Sequence, residues 1–196
     1  MKRLAFTAAV LCVAALTGCV TPVGPVQVTR FHAADISSLG KGAIAVEPAP
    51  GSDPASLEWQ TYGAAVARQL VLLGYTEAKP GSGGQVALVR LSRRTIEPPR
   101  SSPVSVGVGG STGTDGSGVG LGIGINLSPK PAAEVATDLS VSIRDRTSGA
   151  TLWEGRATFV VSSKSPLATT ALGAPKMSEA LFAGFPGQSG TTIEVK

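Results

Sequence analysis

The chain has 196 residues, 42% hydrophobic but only 5% aromatic and 15% charged, with 25 Gly and 14 Pro. Gly and Pro together far exceed their roughly 12% average share, which excludes a helical bundle, a coiled coil or a collagen and favours short strands with many turns. Seventeen basic against 13 acidic residues give a net charge of +4, and one His with two Cys predicts neither a metal site nor a cofactor.

Lys2 and Arg3 precede an uncharged apolar run, Leu4 to Leu16. The run is too short for a membrane-crossing helix, which needs about 20 residues, and it reads as a signal peptide over residues 1–18. Leu16-Thr17-Gly18-Cys19 resembles a bacterial lipobox, in which Cys19 is lipidated and becomes the mature N-terminus. Cleavage removes Cys12, so no intramolecular disulfide is expected. It also removes two of the 17 basic residues and none of the acidic ones, leaving +2. Several acyl chains (palmitate among them) would anchor the chain where a single one binds only reversibly. Val20, in place of the Asp that signals inner-membrane retention, implies the periplasmic face of the outer membrane. Residues 19–25 (CVTPVGP) read as a tether.

A single domain is expected over 26–190, followed by a tail, 191–196. Val26 to Phe31 and Ala43 to Val46 read as strands. Ser52 or Asp53 caps a helix with Pro54 in its first turn. Trp59, Tyr62, Val66, Leu70 and Leu73 form its apolar stripe, and Gly74 ends it. Val86 to Leu91 reads as a buried strand. Val135, Thr137, Leu139, Val141 and Ile143 alternate with polar residues. Asp145 to Gly149 turns the chain, and Trp153, Gly155, Ala157, Phe159 and Val161 complete a hairpin. A last helix opens near Pro175, with Met177, Leu181 and Phe182 inward, separated by Gly173 and Pro175 from the stretch 166–172. The class is α/β, a two-layer sandwich: a mixed or antiparallel sheet of about four to six short strands under two helices.

Residues 104–127 hold nine glycines alternating with Val, Leu and Ile. This Gly-rich insert admits three readings: a low-complexity loop, a hairpin turning at Thr114-Asp115-Gly116, or an extension of the main sheet. As a hairpin it would offer Val106, Val108, Val119, Leu121, Ile123 and Ile125 to another copy of the chain or to a membrane surface. A homo-oligomer is therefore one expected partner.

Catalytic chemistry is sparse. No G-x-G-x-x-G occurs, since Thr112 and Leu127 stand where the last Gly should be, and Asp35 replaces the first Gly of a phosphate loop ending at Gly40-Lys41. The single His32 has no nucleophile elbow to serve. Asp138, Asp145, Glu154 and Glu179 are read as solvent face, turn, cross-strand ion pair and helix surface rather than as a glycan-cleaving pair. No enzyme is expected. Arg90, Arg93, Arg94 and Arg100 form either a solvated face or a contact for an anionic partner such as a polysaccharide, a headgroup or peptidoglycan. Nucleic acid is not expected in the periplasm.

The lipobox, Leu70-x-x-Leu73-Gly74-Tyr75, the hairpin Val141-x-Ile143-x-Asp145-x-x-Ser148-Gly149-x-x-Leu152-Trp153-x-Gly155 and the closing Leu181-Phe182-x-x-Phe185-Pro186 carry a resemblance. Together they resemble the bacterial lipoprotein family called domain of unknown function 4136, and envelope lipoproteins similar to the TolB N-terminal domain. Gly84-Gln85 departs from the Ala-Asp pair frequent in that family. The resemblance implies a non-catalytic outer-membrane lipoprotein that binds or scaffolds envelope components. Its alternatives are an accessory regulator of a cell-wall synthase or exopolysaccharide export system, or a glycan-acting enzyme.

Overall fold

The computed structural model describes residues 23–99, 104–113, 116–125 and 131–196, and only the backbone of 104–125. The signal segment, Cys19 and Arg100 lie outside the described residues. The elements are β1 (Val26–His32), β2 (Ala43–Pro48), α1 (Leu57–Leu72), β3 (Thr76–Ala78), β4 (Gln85–Ile96), β5 (Val104–Gly113), β6 (Gly116–Ile125), β7 (Glu134–Asp145), β8 (Thr151–Ser162), α2 (Thr170–Phe182) and β9 (Thr192–Val195).

Seven strands make one mixed sheet in the order β3-β2-β4-β7-β8-β1-β9. β2 runs parallel to β3 and β4, and the remaining neighbours are antiparallel. The two-layer α/β class is as expected, but the strand count exceeds four to six. The additions are mainly β3 and β9. They are three and four residues long and largely exposed, too short to show an alternation. The expected tail therefore contributes an edge strand, β9, beside β1.

The expected β7–β8 hairpin forms, with Val141 opposite Gly155 and Ile143 opposite Trp153. Its turn is held by Asp145, whose Oδ1 accepts from the Thr147 and Ser148 backbone N–H groups and the Ser148 hydroxyl. Trp153 is fully buried, stacks on Phe182 at 5.3 Å and donates from Nε1 to the Pro186 carbonyl at 2.9 Å. Gly155 makes room for that indole: a Cβ there would lie 2.3 Å from Trp153 Cη2. The aspartate, serine, glycine and tryptophan of the hairpin motif are thus accounted for by folding alone.

α1 starts later than expected. Ser56 is its N-cap and accepts from the Trp59 N–H at 3.3 Å, while Asp53 caps only the preceding turn through Ala55. Tyr62, Val66 and Leu70 are buried, whereas Trp59 and Leu73 sit at the margin of the core. Gly74 follows the helix with φ +103°, and a Cβ there would meet the Gly40 carbonyl oxygen at 2.7 Å.

α2 starts earlier than expected and runs through both Gly173 and Pro175. Pro175 is the sixth of its thirteen residues, and its missing N–H forgoes one bond, to the Ala171 carbonyl, without ending the helix. Gly173 lets the helix close on its surroundings, since a Cβ there would meet Leu167 O at 2.9 Å and Tyr62 Oη at 3.2 Å. At the other end, buried Arg30 on β1 donates to the Leu181 and Ala180 carbonyls, satisfying acceptors that a helix C-terminus leaves open. Burial pulls the Arg30 pKa down.

β5 and β6 pair antiparallel, with Gly113 opposite Gly116. They form a two-stranded sheet of their own and do not extend the main one. Of the three readings of the insert, the hairpin is the one the backbone adopts.

Candidate functional site

Both helices cover the face bearing Val28, Val89, Leu139, Val141, Trp153 and Ala157. The alternate positions of β4, β7, β8 and β1 make the opposite, open face. Strand register aligns them in rows: Thr29, Arg156, Ser140 and Arg90 in one, Phe31, Glu154, Ser142 and Leu88 in the next. A groove of about 550 Å³ lies along these rows, bordered by Arg144 and by Ala49 and Pro50 after β2. That volume is within the range of ligand clefts.

The groove is basic and hydroxyl-rich. Arg90 donates from one guanidinium nitrogen to the Pro50 carbonyl at 3.0 Å, which holds that arm of the fork in place. Arg144 Nε donates to Ser142 Oγ at 3.3 Å. Arg156 is exposed and makes no hydrogen bond or ion pair among the described residues. Ser142 Oγ also donates to Glu154 at 3.3 Å, so the expected ion pair of Glu154 is a hydrogen bond instead. Phe31 is 54% exposed beside them, an apolar plate at the edge of a polar strip.

The arginine cluster read from the sequence is divided by the alternation of β4. Arg90 and Arg94 fall on the open face, and Arg94 pairs with Asp138 at 3.0 Å. Arg93 points the other way and ties the helices together: it pairs with Glu58 of α1, and donates to Thr170 Oγ1 and the Ala168 carbonyl beside α2. Its guanidinium is engaged by these internal partners and acts as a clamp between the two helices. Two cations that the cluster did not include, Arg144 and Arg156, take its place in the groove. Their outward parity on the β7–β8 hairpin was the available signal, but only the register of four strands brings them beside Arg90.

The remaining polar candidates have local partners. Asp138 accepts from Arg94 and Thr158, Asp145 belongs to the turn, and Glu179 is on the exposed side of α2. The His32 ring donates from Nδ1 to the Ala33 carbonyl at 2.8 Å. At the far end of the sheet Glu47 pairs with Arg146 and accepts the Gly81 N–H at 2.7 Å. That backbone bond, followed by the pair with Arg146, holds the Glu47 carboxyl below its ordinary range.

No family model matches the chain. Uncharacterized protein ZMO1243 of Zymomonas mobilis is 30% identical to it over 215 aligned residues, covering 88% of this chain and 80% of that protein. The chain belongs to the family of that protein. Among solved structures, a PDZ domain protein from Parabacteroides distasonis superposes with a TM-score of 0.47 at 10% identity. The superposition covers 96% of this chain and 42% of that one. A PelC dodecamer from Paraburkholderia phytofirmans gives a TM-score of 0.41 at 16% identity, over 80% of this chain and 96% of PelC.

Proposed function

We propose that the protein is a non-catalytic, lipid-anchored binding module of the cell envelope that retains an acidic glycan along its open sheet face. One observation carries the reading: Arg156 and Arg90 stand in a single cross-strand row with Thr29 and Ser140, flanked by Arg144 and Phe31. Four strands at about 4.8 Å spacing make that row about 14 Å long, a strip suited to a chain rather than to a compact metabolite. Arginine presents a planar fork to carboxylates or phosphates, and the hydroxyls and the Phe31 ring suit sugar hydroxyls and the apolar face of a sugar. Arginine remains charged throughout the physiological range, so the groove is built for retention rather than proton transfer. The lipobox supports lipidation at Cys19 and a position on the periplasmic face of the outer membrane. The family shared with the Zymomonas protein is, on this reading, one of envelope lipoproteins similar to the TolB N-terminal domain.

The test is titration of the mature protein with oligogalacturonate, with solubilised peptidoglycan fragments, and with a neutral malto-oligosaccharide as control. The acidic glycans should bind and the neutral one should not, with affinity falling as salt rises. Arg156→Ala and Arg90→Ala should each weaken binding roughly tenfold, as expected for a lost charged hydrogen bond. Arg94→Ala, whose partner is Asp138, should leave it unchanged. Equal affinity for neutral and acidic glycans, or insensitivity to both groove arginines, would reject the proposal.

A further inference from the structure

Strand register defines the two ends of the seven-stranded sheet. Gln27, Thr158, Asp138 and Ser92 form one cross-strand row. Beyond them come Val160, Ala136 and Arg94, and then Ser162, Glu134 and Ile96. β1 therefore begins where β4 and β8 finish. Both helices start at that end too, because Arg93 on β4 binds Glu58 in the first turn of α1 and Thr170 at the start of α2.

Exposed aliphatic side chains gather there: Val23 at 44% exposure, Leu57 at 78%, Ile96 at 40%, Val160 at 39% and Leu172 at 50%. The opposite end, beyond the β7–β8 turn and the C-terminus of α1, exposes Ile36, Val71 and Leu72. Apolar area alone does not choose between the ends. The anchor does. Val23 is four residues from Cys19, and four fully extended residues reach at most about 14 Å. β7 spans Glu134–Asp145, and at about 3.3 Å per residue its turn stands about 36 Å from that end. A lipid on Cys19 therefore holds the Val23 end at the membrane. A tether this short keeps the end at high effective concentration over the lipid, so individually weak contacts suffice. Arg93–Glu58 and Arg94–Asp138 are paired within the domain, and Lys164 stands against Asp53, Glu97 and Glu134. That balance suits zwitterionic headgroups rather than anionic ones.

We infer that this end is a lipid-contacting foot: Val23, Leu57, Ile96, Val160 and Leu172 seat in the headgroup layer of a zwitterionic leaflet, with the strands standing upright on it. Cross-strand rows then run parallel to the membrane. The row of Thr29, Arg156, Ser140 and Arg90 lies six residues above Ile96 along β4, at a height of about 20 Å. The open face stays clear of the lipid, and a chain bound along it lies parallel to the surface. The inference rests on the lipid anchor of the proposed function and is independent of what the groove binds.

The test uses full-length lipidated protein in phosphatidylethanolamine–phosphatidylcholine vesicles that carry a headgroup nitroxide lipid. Cys12 leaves with the signal segment and the Cys19 thiol is consumed by the lipid, so an introduced Cys is the single thiol of each variant. An environment-sensitive dye is placed by Ile96→Cys and Val160→Cys at the foot, Ser148→Cys in the far turn, Arg68→Cys on α1 and Arg156→Cys on the open face. The two foot dyes should be quenched severalfold more strongly than the dye at residue 148, with those at 68 and 156 between. Leu57→Glu combined with Leu172→Glu should abolish the excess quenching at residue 160 while the protein still floats with the vesicles and melts as before. Strongest quenching at residue 68 or 156 would lay a flat face on the lipid and overturn the inference. Equal quenching at all five sites would overturn it too, and so would an unchanged signal in the double variant. Failure of the wild type to float would overturn the anchor together with the foot, whereas floating protein without excess quenching at the foot overturns the foot alone.

Discussion

Replacing Gly155 by Ala adds one methyl group at the tightest point of the core. The new Cβ would stand 2.3 Å from Trp153 Cη2, 2.8 Å from Leu181 Cδ1 and 2.9 Å from Trp153 Cζ2. Restoring an ordinary contact of about 3.5 Å requires a shift of about 1.2 Å by the indole or by α2. Neither has free space, because Trp153 is stacked on Phe182 and tilted against Phe185 at 5.2 Å. A shift of that size also breaks the 2.9 Å bond from Nε1 to the Pro186 carbonyl. Overpacking costs about 1–3 kcal/mol and the bond about 1 kcal/mol, so the expected loss is about 2–4 kcal/mol. For a domain of this length each kcal/mol lowers Tm by about 2–4 °C. Gly149→Ala serves as the control. Gly149 has φ +73° with open space around it, so only the left-handed backbone is penalised, by about 1 kcal/mol. Urea unfolding followed by far-UV circular dichroism and tryptophan emission measures both. A Gly155→Ala loss no greater than that of Gly149→Ala, with unchanged emission, would refute the account of the hairpin motif.

Arg93→Ala should cost about 1–2 kcal/mol in the same assay, since it removes the bonds to Glu58, Thr170 and Ala168 that join α1 to the start of α2, yet leave acidic-glycan affinity unchanged. Acid titration should show stability falling below the usual carboxylate range. The Gly81 N–H and Arg146 hold Glu47 low, and the Ser148 N–H holds Asp145 low. Groups whose folded pKa is depressed contribute above their unfolded value and lose that contribution as pH drops through the folded one. Glu47→Gln should therefore flatten part of that decline in a pH series of melts. Cys19→Ser should leave an uncleaved, unlipidated precursor, read by intact mass and membrane fractionation; normal mature mass with membrane retention would contradict the lipobox.

The elements legible in the sequence are those whose pattern is long relative to their surroundings. Ten alternating residues identify β7, and a stripe from Trp59 to Leu73 identifies α1. β3 and β9 are edge strands of three and four residues, held by pairing with β2 and β1 rather than by a pattern of their own. Pro175 and Gly173 read as breaks in α2, but tertiary packing against Tyr62 and Leu167 favours an unbroken helix through them. The candidate site was half legible. Counting Arg90, Arg93 and Arg94 along the chain detects a basic cluster. Extending β4 through them in steps of two would have shown that Arg93 belongs to the opposite face. Arg144 and Arg156 are 12 residues apart and come beside Arg90 only through the pairing of β4 with β7 and β7 with β8.

Amide chemical shifts of the 15N-labelled mature domain, recorded during titration with oligogalacturonate, test the open face most directly. The largest changes should fall on Thr29, Phe31, Arg90, Ser140, Ser142 and Arg156, and α1 and α2 should be silent. Changes centred on the helical layer, or none at saturating ligand, would contradict the open-face site.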